Sequence, residues 1–352
     1  MTEGFENPTV AEKYAAWVEA QKKEKSELFK NASFLAGLLL LYNLLRTINA
    51  RVFWIAAYVK YTGKFSLDIY AVQNYLADER SEEIKSTAFL MTGSVVIVIL
   101  STLGIFIVGQ FIMKIKLTDI VKPYRGFALD GVKYFPATLT LNLIGGVIVT
   151  AIVNSLSSQG INVPVSDFSM HSPTRYELII QFVYVCLLGP ICEEFIYRGL
   201  VIKLLAPFGK LTAVVFSALI FGLMHGNIEQ AITAALGGVV YALVAVKYNS
   251  IAPTVVIHIL NNISASISDY GGALGWSNTD LINRVINICA LFFGFYGVIV
   301  LITELIYETK MTEPDHALSA KKRRMGTFTN IFVLIYFGYL LWEIIGRIWL
   351  AN

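Results

Sequence analysis

Apolar runs of bilayer-spanning length fill most of this 352-residue chain, and no other feature narrows its possible folds as much. They fall at about 32–57, 86–113, 133–155, 177–205, 211–226, 229–246, 250–268, 284–306 and 328–350. Arg46 and Arg51 interrupt the first, which leaves a short helix followed by an interfacial one as an alternative there. The expected fold is all-α, a polytopic membrane helix bundle with about eight or nine spanning helices. Composition agrees. Residues are 56% hydrophobic and 15% charged, against roughly 25% charged in a soluble domain. So few charges cannot cover a soluble surface, and a disordered chain and a nucleic-acid binder are excluded.

Residues 1–31 are polar, with five Lys and six Glu, and no short apolar core precedes a small-residue cleavage site, so a cleavable signal peptide is not expected. Val10, Tyr14, Trp17, Val18, Leu28 and Phe29 fall near helical spacing, which predicts a surface or interfacial helix; a solvated leader is the alternative. Cys186, Cys192 and Cys289 lie in apolar stretches without a CxxC spacing, which suggests neither a disulfide framework nor a thiolate metal site. Lys and Arg concentrate in the 114–133 and 307–327 connections and at Lys203, Lys210 and Lys247, whereas 156–174 and 269–283 hold none. The positive-inside rule then places the N-terminus and the 114–133 connection in the cytoplasm, for a multi-pass protein of the cell membrane. The 58–85 connection, with Lys60, Lys64, Arg80 and Lys85, runs against this rule.

The fourth run carries charges that an apolar span should not have: Glu193, Glu194 and Arg198 within six residues. Each such charge at the centre of a span costs about 2.5–3.5 kcal/mol. Glu194 and Arg198 are four apart and share a helix face, so they can neutralise each other. Glu193 points about 100° away and has no partner in its own turn. An unpaired carboxylate in apolar surroundings is a candidate general base or acid. Two of the four histidines also lie in apolar runs: His225 after Phe221, and His258 four residues before Asn262. A lone buried histidine is usually a packing residue; two of them with the Glu pair and Asn262 point to a site. At a helical rise of 1.5 Å per residue, Glu193 and Glu194 lie about 17 Å, His225 about 21 Å, His258 about 12 Å and Asn262 about 18 Å from the cytoplasmic ends of their helices. All four heights fall in the middle of a core about 30 Å thick. Other polar residues have plainer readings: Arg46 and Arg51 snorkel, Glu343 and Arg347 pair, and His171 and His316 are solvated in loops. Glycines such as Gly222, Gly226, Gly145 and Gly146 allow close helix approach.

At these residues the chain resembles the CPBP intramembrane proteases, which include CAAX prenyl endopeptidases and bacteriocin-processing or self-immunity proteins. The family pattern EExxxR, FxxxH and HxxxN matches Glu193-Glu194 to Arg198, Phe221 to His225, and His258 to Asn262, in order, within about 174–270. The chain then divides into a polar leader (1–31), N-terminal spans (32–173), a catalytic core (174–270) and C-terminal spans (271–352). The resemblance implies intramembrane hydrolysis of a peptide bond in a membrane-associated peptide or protein. Glu193 would activate water with His225 positioning it, His258 and Asn262 would hold the oxyanion, and Glu194 with Arg198 would support the helix. It leaves the cofactor open, as none or a divalent metal such as zinc held by Glu193, His225 and His258. The implied partners are membrane lipid and the substrate, with no nucleic acid; substrate identity and oligomeric state are not readable. Two other functions fit a charged midplane: a non-catalytic scaffold or immunity protein of the same fold, and a proton-coupled transporter. The transporter would call for a corresponding second half to the 193–198 region, and none is visible.

Overall fold

The computed structural model describes residues 9–78, 87–164, 173–307, 309, 312 and 314–352. The expected solvated His171 lies outside the described residues. Helix α1 spans Val10–Thr62, α2 Ile69–Asp78, α3 Thr87–Met113 and α4 Phe127–Ser157. Helix α5 runs Arg175–Phe208, α6 Lys210–Leu223, α7 Ile228–Tyr248 and α8 Ala252–Ala273. Helix α9 spans Thr279–Val300 and continues through a π turn, Leu301–Ile306; α10 spans Ala320–Phe328 and α11 Ile331–Leu350. The described residues form an all-α bundle, and seven helices (α1, α3, α4, α5, α7, α9 and α11) are long and apolar enough to cross a membrane.

Two of the nine expected spans differ from the rest. Helix α6 has 14 residues, about 21 Å, which is short of a full crossing. Helix α8 has 22 residues but is not among the seven, because its sequence carries His258, Asn261 and Asn262 in place of a continuous apolar run. The expected leader and first span are one helix of 53 residues. A capping box between Thr9 and Glu12 starts it, and Gly63, with φ of 69°, ends it. Arg46 and Arg51 do not break it, because neither is a helix breaker.

The core lies where α5, α6, α7, α1 and α11 meet, with Tyr42, Tyr197, Phe216, Val244 and Tyr336 among its buried side chains. Gly222 brings α6 directly against α7: a Cβ there would clash with the carbonyl of Ala231. Gly226 has a different role, as its φ of 70° makes the left-handed turn between these helices. Gly145 meets Thr233 closely, but Gly146 faces open space and so does not serve helix packing.

Basic connections gather at one end of the bundle. Lys203 pairs with Asp119 at 2.8 Å, Lys133 and Lys247 reach Glu304 at 2.7 and 3.7 Å, and Lys210 bonds Thr312. His316 is not solvated. Its Nδ1 lies 2.8 Å from Glu24 of α1, whose other oxygen accepts from the Leu318 amide. The long α1 extends far enough past the bundle for Glu24 to meet this connection.

Candidate active site

Helix α5 carries the first motif and is irregular on both sides of it. A π turn over Val183–Leu188 precedes Gly189–Glu194, and a second over Phe195–Leu200 follows. In the first turn the amide of Gly189 bonds the carbonyl of Tyr184, five residues back. The next amide in that register would be that of residue 190, which is proline and has none. The carbonyl of Val185 is thereby left over, and Nδ2 of Asn262 donates to it at 2.8 Å. Single π turns of this kind are common where a helix serves a functional site.

The charges fall into one connected cluster. Glu194 is fully buried; its Oε1 accepts from Nη1 of Arg198 at 3.0 Å and from Nδ1 of His258 at 2.9 Å. Nη2 of Arg198 donates to the carbonyl of Gly238. The guanidinium lies between two rings, 4.1 Å from the centre of Phe221 and 4.9 Å from that of Tyr241. Delocalised charge stacked on aromatic faces tolerates loss of water better than an ammonium would. A Cβ at Gly238 would approach Nη2 to 2.9 Å, so glycine keeps this position open.

His258 is 3% exposed, stacked on Tyr241 and edge-on to Phe221. Because Glu194 accepts, Nδ1 of His258 carries hydrogen and Nε2 is the nitrogen turned to Glu193, 3.6 Å from its Oε2. That distance is too long for a direct hydrogen bond and suits one water bonded to both. Glu193 keeps 22% of its side chain exposed and lines a cavity of about 810 Å³ together with His225, His258 and Asn262.

His225 lies in the turn that follows the short α6. Its amide bonds Gly222, three residues back, and its Nδ1 caps the carbonyls of Phe221 at 2.8 Å and Gly222 at 3.3 Å. A carbonyl only accepts, so here too Nδ1 donates and Nε2 stays open. The six expected residues are therefore placed in two layers. Glu193, His225, His258 and Asn262 line the cavity, while Glu194 and Arg198 lie behind His258. His258, and not His225, is the partner of Glu193, and one amide hydrogen of Asn262 is committed to Val185.

Sequence reading missed several cavity groups. Tyr241 holds His258 and Arg198. Asn142 of α4 donates to Asn261 at 2.6 Å, which in turn reaches Asn262. An asparagine inside an apolar run was the available signal for Asn142. Arg46 lines the cavity with its guanidinium over Tyr42 instead of snorkelling, because its face of α1 packs on the site. Glu343 and Arg347 also line it and form no ion pair with each other within 4 Å; Arg347 instead lies where a Cβ on Gly226 would meet it.

Glu193, His225 and His258, the set that would hold a divalent ion, do not converge. Among the described residues no group of three or more His, Cys, Asp or Glu is placed to hold a metal. Glu193 and His258 offer two donors, fewer than the three protein ligands of a catalytic zinc.

Residues 175–264 match the family described as type II CAAX prenyl endopeptidase Rce1-like. No curated protein and no solved structure matches the chain significantly. The matched segment, about a quarter of the chain, contains Glu193, Glu194, Arg198, Phe221, His225, His258 and Asn262, and over it the chain is similar to the Rce1-like type II CAAX prenyl endopeptidases.

Proposed function

We propose that this protein is a membrane endopeptidase in which Glu193 activates water for attack on a peptide carbonyl. The observation that carries this reading is the pairing of Glu193 with Nε2 of His258 at 3.6 Å on the cavity wall, with the far side of the ring fixed by Glu194. A water bonded to both groups would lose its proton to Glu193 as its oxygen attacks the amide carbon. The carbonyl electrons move onto oxygen. Donors facing the cavity, the second amide hydrogen of Asn262 and Nε2 of His225 or His258 when protonated, stabilise that oxyanion. Collapse breaks the C–N bond, and Glu193 returns the proton to the leaving amine. Products are a new carboxylate and a new amine.

Glu194 and Arg198 take no proton in this scheme; they orient the imidazole, as a buried carboxylate does behind a catalytic histidine. The substrate that fits is a membrane-associated peptide segment able to enter a cavity within the helices. A prenylated C-terminal tail and a bacteriocin-like precursor are both members of that class. The N-terminus and the basic end of the bundle would face the cytoplasm by the positive-inside rule.

The test compares membrane peptides by mass spectrometry from cells that contain the wild type, the Glu193→Gln variant or neither protein. Peptides processed only with the wild type identify both activity and substrate. Identical peptide sets from all three overturn the peptidase reading and favour the scaffold.

A further inference from the structure

A second cavity, of about 530 Å³, lies at the basic end, between the 117–122 connection, the end of α5 and the α7–α8 turn. Its volume is in the range of small-ligand sites. Lys122, Lys203, Lys210, Lys247 and Arg198 line it, and among the described residues Asp119 is the one carboxylate in the lining. Much of this charge is already balanced. Glu194 neutralises Arg198, Asp119 pairs with Lys203, and Glu304 takes Lys133 with Lys247. The hydrogen bond from Lys203 holds the Asp119 carboxyl below the ordinary aspartate range, so it stays ionised and engaged. The excess rests on Lys122 and Lys210. Among the described residues Lys122 makes no ion pair, and the partner of Lys210 is a neutral threonine oxygen. Ile120 and Val246 add apolar wall beside these ammonium groups.

We infer that this cavity binds the phosphate of an anionic phospholipid headgroup. Two observations favour a lipid over a soluble phosphate compound. The cavity lies where α5 and α7 end and α8 begins, which is where headgroups meet helices that cross a membrane, and its wall mixes lysine with aliphatic side chains, as a headgroup–glycerol boundary requires. The inference does not rest on the peptidase reading. It has a consequence for that site, however, because the cavity lies on the back of the segment that carries Arg198. Ile120 packs so closely on α5 that a Cβ at Gly199 would clash with it. A headgroup clamped between Lys122 and Lys210 would hold the 117–122 connection onto α5 and steady the helix that bears Glu193 and Glu194.

The experiment uses the purified full chain in a zwitterionic detergent. Native mass spectrometry and thermal melting are read after addition of phosphatidylglycerol, phosphatidylcholine or inorganic phosphate. The wild type should retain phosphatidylglycerol and melt higher with it, should not respond to phosphatidylcholine, and should lose the effect in high salt. A lysine facing an anionic headgroup contributes roughly a fivefold factor in affinity, so Lys122→Gln with Lys210→Gln should weaken retention about 25-fold. The single Lys122→Gln variant, in an exposed connection, serves if the double variant folds poorly. Equal retention of both lipids, or full retention of phosphatidylglycerol by the variants, overturns the inference. Stabilisation by inorganic phosphate alone overturns the lipid assignment and leaves a soluble phosphate ligand. Loss of lipid response with intact cleavage, or intact response without any cleavage, separates this site from the peptidase reading.

Discussion

Oε1 of Glu194 accepts hydrogen bonds from both Arg198 and His258, at 3.0 and 2.9 Å. One buried carboxylate oxygen thus ties the two halves of the site together, the charged helix α5 and the histidine of α8. It also fixes which ring nitrogen His258 turns to Glu193.

Glu193→Gln should abolish cleavage while the melting temperature stays close to wild type. The change is nearly isosteric and partly exposed, so it removes the proton acceptor without opening a cavity. Reporter-peptide turnover by a well-folded variant, at the wild-type rate, would remove Glu193 from the role of base.

Arg198→Ala should behave differently, because it strands a buried carboxylate. Breaking a buried pair by removing one partner costs about 3–5 kcal/mol. Folded yield and melting temperature should therefore fall along with activity. Arg198→Lys should recover only part of the loss, since an ammonium cannot both stack on Phe221 and Tyr241 and reach Gly238. A normal yield of Arg198→Ala would show that Glu194 has no need of this partner.

Asn262→Ala leaves the carbonyl of Val185 without a donor and should destabilise by about 1–3 kcal/mol. Pro190→Ala supplies the missing backbone amide. In that background Asn262→Ala should cost less, and a double-mutant cycle in thermal stability measures the coupling. Additive losses would contradict the link between Pro190 and Asn262.

Chelation should leave turnover intact, because Glu193 and His258 alone are too few protein donors for a tightly held catalytic ion. Activity that disappears with chelator and returns with zinc would transfer water activation to a metal.

Single cysteines placed at 120–125 should be labelled from the cytoplasmic side only. Labelling from the opposite side would invert the orientation and show that the 58–85 connection, with its own lysines, dominates the topology.

The sequence by itself determined the all-helical membrane class, the seven of nine apolar runs that form helices long and apolar enough to cross, and the six polar residues worth following. Those features are legible because apolar length and the cost of a buried charge act locally, residue by residue along the chain. Glu194 facing Arg198 was legible for the same reason, since a four-residue spacing on a helix sets it. Only the tertiary structure decided that His258 rather than His225 meets Glu193, that Asn262 spends a donor on Val185, and that Arg46 lines the cavity instead of snorkelling. Each depends on where one helix is rotated against another. In α5 that rotation is set by two π turns, and the register of the first is completed by a side chain 77 residues away. No local spacing carries that information, because it is the packing of α1, α5, α6, α7 and α8 together that selects the partners.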